Sequence, residues 1–354
     1  MSQFLNERLQ KLNAYTPGEQ PQDKKYVKLN TNESPFPPSE NVIKAINEKE
    51  ITDLRLYCDP ECKVLKAELA KLYNVKSENV FLSNGSDDIL NFAFMAYTQN
   101  GAAFADITYG FYSVFAELYS VNTTIIPLKE DFTLDIEGFC GQNKLVVIAN
   151  PNAPTGIEIS LSDIERILET NKANIVLIDE AYVDFGGNTC VELTRKYKNL
   201  LCVGTFSKSR SLAGARLGFC IADKELIRDL ETIKYSTNPY NINRLTQIAG
   251  IEAIKANDYY MENCKKIIET REYTKRELQN LGFFVLDSKA NFLFAKSDKI
   301  SGEDLYLKLK EKGVLIRHFT KDRIKDYNRI TIGSMTEMQF LIEKIKEILE
   351  GVEK

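Results

Sequence analysis

Seven short apolar runs, separated by polar or amphipathic stretches, dominate the middle of the chain. They occupy residues 79–83, 102–106, 123–128, 145–150, 174–179, 199–204 and 217–222. Most are apolar or β-branched without strict alternation, which is typical of strands buried on both faces of a sheet. Helical patterns lie between several of them, for example after Asp88 and from Leu161. The alternation predicts an α/β fold with a mainly parallel seven-stranded sheet flanked by helices.

Beyond about residue 245 the pattern changes to that of a smaller α+β unit. It predicts a long helix over 246–281, two strands within 282–297, a helix over 302–313, strands at 314–319 and 329–333, and a final helix from 337. A chain of 354 residues is long enough for two domains. We predict a large domain of residues 31–245 and a small domain built from both termini, residues 1–30 and 246–354.

Composition excludes several classes of function. The net charge is −4 and the basic residues are dispersed, so nucleic acid and anionic membranes are poor candidates for partners. No apolar run approaches membrane-spanning length, which makes a cytoplasmic location the expectation. Seven cysteines without a C-x-x-C pair suggest free thiols in a reducing compartment. The single histidine, His318, argues against common catalytic triads and zinc sites, and we predict no metal.

Polar motifs follow five of the predicted strands. They are SNGSDD at 83–88, YGFY at 109–112, ANPNAPTG at 149–156, DEAY at 179–182 and TFSKSR at 205–210. Ligands of open parallel sheets bind beyond the carboxyl ends of the strands. The five motifs are therefore expected to meet in one crevice.

Part of this crevice is suited to a phosphate group. The backbone N–H groups of Gly85, Ser86 and Asp87 open a predicted helix, where the helix dipole favours an anion. Ser207 and Arg216 can add a hydroxyl and a charged contact to the same anion.

The remaining groups suit a flat, electron-accepting ring. Tyr109 can stack on such a ring, and Asp179 ends a buried strand, where a carboxylate needs a cationic partner. Lys208 sits among small residues near Arg216, so we expect a lowered pKa and a more nucleophilic amine. A phosphate grip, a stacking ring, a buried carboxylate and an activated lysine together indicate a pyridoxal phosphate site.

The segment SKSRSLAGARLGF, residues 207–219, matches the pattern S-K-x-x-x-L-A-G-x-R-x-G. With DEAYVDF, PNAPTG and TYGFY in family-like order, the chain resembles the fold-type I pyridoxal phosphate aminotransferases, and within them the histidinol-phosphate aminotransferases. The likeness extends from LNTNESPFP near the start to RITIG near the end. It implies the large-domain and small-domain architecture of that fold type.

The resemblance also implies roles for individual residues. Lys208 would form the Schiff base with the cofactor and transfer protons, Asp179 would pair with the pyridine nitrogen, and Tyr182 would hydrogen-bond the ring hydroxyl. Tyr109 would stack on the ring, and the phosphate would be held by Ser86, Asp87, Ser207 and Arg216.

Four further residues are assigned to the substrate or to a partner subunit by the same resemblance. Tyr57 would reach the cofactor phosphate of the neighbouring subunit, which implies a homodimer with shared sites. Arg329 would bind the anionic group of the substrate, and Tyr15 and Asn32 would line the substrate pocket, together with Tyr57.

One position departs from the family pattern. Many relatives read P-N-N-P-T-G, with the asparagine that contacts the ring hydroxyl directly before the second proline, whereas this chain has Ala153 there. Asn152 is the nearest substitute and is our candidate cofactor contact, although neighbours on an extended chain point in opposite directions. Tyr182 would then carry more of that contact.

The implied reaction is transamination of L-histidinol phosphate with 2-oxoglutarate. Aromatic-amino-acid aminotransferases and phosphoserine-like decarboxylases share the motifs and stay open as alternatives, as does a non-catalytic binding protein. Arg329 can receive a phosphate or a carboxylate, or serve a structural ion pair. Tyr112 is expected to be a core aromatic and His318 a structural residue, while the neighbouring Arg317 can help to bind an anion.

Overall fold

The computed structural model describes residues 2, 4–10 and 12–352. Its strands are β1 Val27–Lys28, β2 Val80–Ser83, β3 Ala102–Ala105, β4 Thr123–Ile126, β5 Leu145–Ala149, β6 Val176–Asp179, β7 Leu200–Thr205, β8 Gly218–Ala222, β9 Phe283–Val285, β10 Phe292–Ser297, β11 Val314–Leu315, β12 Arg317–His318 and β13 Asn328–Thr331. Its α-helices are α1 Glu40–Ala45, α2 Glu48–Thr52, α3 Lys63–Leu72, α4 Ser86–Tyr97, α5 Phe111–Leu118, α6 Ile136–Phe139, α7 Leu161–Thr170, α8 Lys224–Thr237, α9 Arg244–Lys255, α10 Asn257–Asn280, α11 Gly302–Glu311 and α12 Met335–Val352.

All seven strands predicted between residues 79 and 222 lie in one sheet, in the order β2-β8-β7-β6-β5-β3-β4. The pairs β7–β6, β6–β5, β5–β3 and β3–β4 are parallel, and β8 alone runs antiparallel to its neighbours β7 and β2. The prediction of a mainly parallel seven-stranded sheet is confirmed. The reversal at β8 follows from the direct return of the chain after β7, through the loop that carries Lys208.

Both faces of this sheet are covered, which explains the unbroken apolar runs. Along β6, Val176 and Ile178 pack into one cluster of apolar side chains, with α3, α7 and α9, while Leu177 packs into another with α4 and α5. Successive side chains of a strand point to opposite faces. A strand covered on both sides therefore needs apolar residues at every position.

The long helix predicted over residues 246–281 is wrong in one respect. The chain forms two helices, α9 and α10, which are separated at Ala256. The first packs against α1 and α3 beside the large sheet, whereas the second packs against β9 and α12. Because the two helices serve different parts of the core, the break redirects the chain in a way that apolar periodicity does not reveal.

The C-terminal part contains a four-stranded antiparallel sheet in the order β12-β13-β10-β9. The predicted strand at 314–319 splits into β11 and β12, and β11 pairs with β1 instead, where Val27 lies opposite Val314. This pairing attaches the N-terminal segment to the C-terminal part, as expected. The predicted domain limits, 31–245 against 1–30 and 246–354, stay a prediction. Among the described residues, no helix combines the length and apolarity that crossing a membrane requires.

Candidate active site

The carboxyl ends of the large sheet open into two adjoining cavities. The inner one encloses about 120 Å³ and is lined by Ser86, Asp87, Tyr109, Ala149, Ala153, Asp179, Ala181, Tyr182, Thr205, Ser207, Lys208 and Arg216. The outer one encloses about 640 Å³, between the N-terminal segment, the loop after β3 and the region around β12 and β13. Tyr109, Ala153, Tyr182 and Lys208 line both. A molecule in either cavity would therefore face the same lysine.

Lys208 lies in the loop between β7 and β8, at the junction of the two cavities. Its ammonium donates to the backbone oxygen of Thr31 at 3.3 Å. Desolvation by burial lowers its pKa to about 8, and the positive charges of Arg329 and Arg216 act in the same direction. The lowered pKa agrees with the expectation from sequence, but Arg329 contributes more to it than Arg216, the neighbour on which that expectation rested.

Asp179 is the last residue of β6 and is buried, 5% exposed. One carboxylate oxygen accepts a hydrogen bond from the Tyr112 hydroxyl at 2.9 Å, and the other accepts one from the backbone N–H of Ala181 at 3.2 Å. Desolvation raises its pKa to about 6, against the lowering effect of these two bonds. A buried carboxylate whose contacts with the described residues are with neutral donors is suited to a cationic group in the inner cavity.

Tyr112 is the residue that sequence reasoning undervalued. Its ring is fully buried, as expected of a core aromatic, but its hydroxyl holds Asp179. A tyrosine on a buried helix face, three residues after Tyr109, was the available signal. A buried phenol needs a hydrogen-bond partner that phenylalanine would not need.

The other end of the inner cavity is a cradle of backbone at the start of α4. Gly85 precedes this helix with φ +79°, and a Cβ on it would lie 2.6 Å from Nη2 of Arg216. A Cβ on Gly218, at the start of β8, would lie 2.3 Å from the carbonyl carbon of Gly85. These two glycines let two backbone segments and a guanidinium approach one another closely. The resulting concave surface, at a helix N-terminus, is suited to an anion.

The side chain of Asp87 does not serve this cradle as an anion contact. Its carboxylate accepts from Nη2 of Arg216 at 3.0 Å and from the Tyr109 hydroxyl at 2.9 Å. A carboxylate would repel a phosphate, so only the backbone N–H of Asp87 can favour one, while the side chain orients the arginine and the tyrosine. Ser207 lies beside the cradle, with its hydroxyl 3.0 Å from that of Thr205.

The loop of residues 150–156 presents Ala153, not Asn152, to the cavities. The Asn152 amide group donates to the backbone oxygen of Ile107 at 3.0 Å and to the Thr155 hydroxyl at 3.1 Å, and its oxygen accepts from Thr108 at 2.9 Å. Both of its donor hydrogens are thus used away from the cavity. The prediction of Asn152 as a cofactor contact is corrected accordingly: its side chain supports the loop.

Two arginines without carboxylate partners face the outer cavity. Arg329 donates to the backbone oxygen of Asn30 at 2.9 Å, and its buried Nε has no hydrogen-bond partner within the described part of the chain. The hydrogen bonds of Arg317 to described residues are long, 3.3 and 3.4 Å, and go to the backbone oxygens of Thr16 and Pro17. No described carboxylate lies within ion-pair distance of either guanidinium, so the structural ion pair considered for Arg329 is absent. Their charges are available to an anionic ligand.

The other predicted substrate residues lie near this pair. Tyr15 stacks on Phe111, with ring centroids 4.3 Å apart, and lines the outer cavity. Asn32 also lines it, and its side-chain amide donates to the Tyr182 hydroxyl at 2.9 Å. His318 stacks against Tyr306.

Tyr57 lies apart from both cavities of its own chain. Its side chain is 82% exposed and stacks on Tyr240, with ring centroids 4.5 Å apart. The structure therefore brings together all the predicted site residues except this one, with Asn152 turned aside.

Three side chains with atoms of the kind that ligate metal ions lie together next to the site, since Glu180 directly follows Asp179. The carboxylate oxygen of Glu180 and the sulfurs of Cys190 and Cys202 are all within 4.8 Å of one another and buried. Glu180 also accepts a hydrogen bond from the Thr189 hydroxyl at 2.6 Å. Burial raises the pKa of Glu180 and that of Cys190, which favours their neutral forms and a structural role.

Known proteins resemble the chain over its whole length. Residues 24–345 match the family described as "Aminotransferase class I and II". The histidinol-phosphate aminotransferase of Brachyspira hyodysenteriae is 54% identical, covering 99% of this chain and 100% of the relative, and that of Clostridium acetobutylicum is 48% identical with the same coverage. The solved histidinol-phosphate aminotransferase of Sinorhizobium meliloti, in complex with pyridoxal-5'-phosphate, shares the fold with a TM-score of 0.89 at 23% identity, covering 99% of both chains. The chain therefore belongs to the class I and II aminotransferase family.

Proposed function

We propose that the chain binds pyridoxal 5'-phosphate in the inner cavity and transfers the amino group of L-histidinol phosphate to 2-oxoglutarate. The observation that carries the proposal is the position of Lys208, between an anion cradle with a buried carboxylate on one side and two unpaired arginines on the other. The names of the relatives that are 46–54% identical support this choice of substrate.

The residues of the inner cavity fit the cofactor. The cradle kept open by Gly85 and Gly218 would hold its phosphate, with Arg216 and Ser207 as further donors. Asp179, whose contacts with the described residues are with neutral donors, would face the ring nitrogen and favour its protonated form. Tyr109 would cover the ring, fixed by its hydrogen bond to Asp87.

Bound pyridoxal phosphate would supply an aldehyde that condenses with amines and a ring that accepts electrons. Lys208 supplies the amine. With a pKa of about 8, this amine is unprotonated in roughly a tenth of the protein molecules at pH 7, whereas an ordinary lysine is unprotonated in roughly 0.03% of them. Because Nζ faces both cavities, the same nitrogen can move a proton between ligands in the two. The ring of Tyr182 lies beside it, with the ammonium 5.9 Å from the centroid.

The outer cavity suits substrates with a terminal anion. Arg329 and Arg317 would bind the phosphate of histidinol phosphate and, in the second half of the reaction, a carboxylate of 2-oxoglutarate. Arg329 is half-buried and has no carboxylate partner among the described residues, so an anion that enters the cavity would offset the cost of desolvating its charge.

We further propose a homodimer in which Tyr57 of one protomer contributes to the site of the other. Support comes from the apolar side chains that residues 43–57 leave exposed: Ile43, Ile46, Ile51, Leu54, Leu56 and Tyr57. An exposed apolar cluster of this kind commonly marks a protein interface. The cytoplasmic location inferred from composition stays a prediction.

The substrate can be tested with the loaded protein in single-turnover absorbance measurements. We expect L-histidinol phosphate to change the cofactor spectrum at least about 100-fold more efficiently than L-phenylalanine or O-phosphoserine. The unpaired arginines select a phosphate, which phenylalanine lacks, and phosphoserine carries a carboxylate that histidinol phosphate does not have. Addition of 2-oxoglutarate should restore the starting spectrum. Arg317→Gln should raise the KM for histidinol phosphate about tenfold or more.

A matched control for that variant is Arg323→Gln. Arg323 lies nearby in sequence but donates to the backbone oxygens of Leu128 and Lys129, outside the cavities, so its loss should leave the KM nearly unchanged. A faster reaction with phenylalanine would favour an aromatic aminotransferase. Carbon dioxide release from phosphoserine would favour a decarboxylase. Bound cofactor with no response to any amine would favour a binding protein.

Substituting Tyr112 with phenylalanine tests its support of Asp179. Without the hydroxyl, the pKa of Asp179 should rise further, since a hydrogen bond to a charged group is worth about 1.5–3 kcal/mol. The cofactor-free variant should therefore lose more stability above about pH 7, where the carboxylate is charged, than near pH 4, where the hydrogen bond lost is a neutral one. Denaturant unfolding at both pH values measures this.

Tyr260→Phe is the control for that experiment. The Tyr260 ring is also fully buried, but its hydroxyl accepts from the neutral backbone N–H of Ser39 at 3.0 Å. Its loss should cost the same at both pH values. A Tyr112→Phe penalty that does not change with pH would contradict the assigned contact.

A further inference from the structure

We propose that Asn32 is a positioning residue that directs the hydroxyl proton of Tyr182 into the inner cavity, in place of the asparagine that this chain lacks at Ala153. The inference deepens the proposed function and rests on it. It changes the role of Asn32 from substrate contact, as the sequence resemblance implied, to support of a cofactor contact.

Asn32 is held by four hydrogen bonds and is 1% exposed. Its amide nitrogen donates to the Tyr182 hydroxyl oxygen at 2.9 Å, and its side-chain oxygen accepts from the Thr331 hydroxyl at 2.9 Å. Its backbone N–H donates to the same Thr331 hydroxyl at 3.0 Å, and its backbone oxygen accepts from Asn291 at 3.0 Å. The residue adopts φ 57°, a left-handed conformation that asparagine tolerates.

The orientation of the Asn32 amide follows from counting donors and acceptors. Thr331 is buried, and its hydroxyl oxygen already accepts from the backbone of Asn32, so its own hydrogen needs an acceptor. The side-chain oxygen of Asn32 is that acceptor. Turning the amide around would leave the Thr331 hydrogen without a partner, which is costly in a buried place.

The direction of the Tyr182 hydroxyl follows in turn. Its oxygen receives a hydrogen from Asn32, so its own hydrogen cannot point back along that contact. Tyr182 lines the inner cavity beside Ala153, which offers no polar side-chain atom. The proton is therefore available to an oxygen on the ring of the cofactor, and the whole contact depends on one hydroxyl.

The expected signature is a shift in the pH midpoint of the cofactor's absorbance change in the loaded protein without substrate. A hydrogen bond donated to the ring oxygen would stabilise the deprotonated form of the cofactor more than the protonated form. In the deprotonated form, no neighbouring proton offsets the negative charge of that oxygen. Losing the donor should therefore raise the midpoint. Among the described residues, the charged and titratable groups facing Tyr182 are Asp87, Asp179, Lys208, Arg329, Tyr15, Tyr109 and Tyr112, and none of them is changed in the variants below.

The test is a double-substitution cycle on the loaded protein. Tyr182→Phe should raise the midpoint by about one unit, the value of one hydrogen bond. Asn32→Gly, which keeps the left-handed backbone without strain, should raise it by about half a unit or more in the wild type and by nothing further when combined with Tyr182→Phe. Thr331→Val should reproduce the shift of Asn32→Gly, and Thr331→Ser, which keeps the hydroxyl, should restore the wild-type midpoint.

Two results would overturn the inference while leaving the proposed function standing. One is an unchanged midpoint in Asn32→Gly with a raised KM for histidinol phosphate, the behaviour of a substrate contact. The other is an equal shift in both backgrounds, which would show that Asn32 does not act through Tyr182. A wild-type protein that takes up no pyridoxal phosphate would overturn the proposed function and this inference together.

Discussion

Replacing Lys208 with alanine is expected to lower the rate of amino transfer by about 10⁴-fold or more while leaving the fold intact. The variant loses the amine shared by both cavities, and groups that act in nucleophilic and proton-transfer steps typically contribute effects of this size. It also removes an ammonium whose pKa burial lowers to about 8, so the cofactor-free variant should be no less stable than the wild type. Single-turnover rates and denaturant unfolding give the two quantities.

Lys234→Met is the matched control for this experiment. Lys234 is also buried with a lowered pKa, but its ammonium donates to the backbone oxygen of Pro60 at 2.8 Å, away from both cavities. Its loss should alter stability and leave the rate per folded molecule within about threefold. A Lys208→Ala variant that keeps a tenth of the wild-type rate would refute the assignment. Borohydride reduction of the loaded wild type should attach the cofactor to the peptide containing Lys208.

The pH dependence of cofactor uptake provides a second reading of the same lysine. In the cofactor-free protein, the rate of uptake should rise with pH as the amine loses its proton and should level off above about pH 8. A rate that keeps rising towards pH 10 would mean that the lysine behaves as an ordinary exposed one.

Replacing Asp179 with asparagine should have opposite effects on activity and stability. We expect the rate to fall by about 10³-fold, since a neutral amide cannot favour a protonated ring nitrogen by charge. The cofactor-free variant should be more stable than the wild type by about 3 kcal/mol above pH 7, because the folded protein no longer buries a carboxylate whose pKa is raised to about 6.

The sign of that stability difference depends on pH. The folded pKa of Asp179, about 6, lies above the ordinary value of 3.8, so the folded protein binds more protons between these values. The contribution of this group to stability is thus fully present below about pH 4 and is lost as the pH rises through 6. The advantage of the variant should vanish below about pH 4, grow between about pH 4 and 6, and level off above that range. A variant less stable at every pH would contradict this account.

The fold was readable from the sequence because both faces of its large sheet are covered. Strands such as β6, with every residue buried, leave an apolar run that polar motifs interrupt at the carboxyl end. The break at Ala256 left no such trace, since the residues on either side continue a helical pattern. The packing partners of α9 and α10 differ, and this difference is visible only in the folded protein.

The site was predictable in its residue types and less so in the direction of its side chains. Lys208 and Asp179 were proposed because a lysine among small residues and a carboxylate in a buried strand are costly without a partner, and Arg216 because it follows Lys208 in the segment 207–219. The turning of Asn152 towards Ile107 depends on a loop whose path no local pattern specifies. The hydroxyl of Tyr112 meets Asp179 across 67 positions of sequence, and only the sheet order brings them together.

The wall shared by the two cavities limits how the substrate range of this protein can be altered. Tyr109, Ala153, Tyr182 and Lys208 face both compartments, so a change made there for a new substrate would also disturb the cofactor. Residues 16–18 and 319–321 border the outer compartment alone. Directed evolution towards other amines should therefore concentrate its libraries on these two segments, where chemical variety does not compromise the reaction centre.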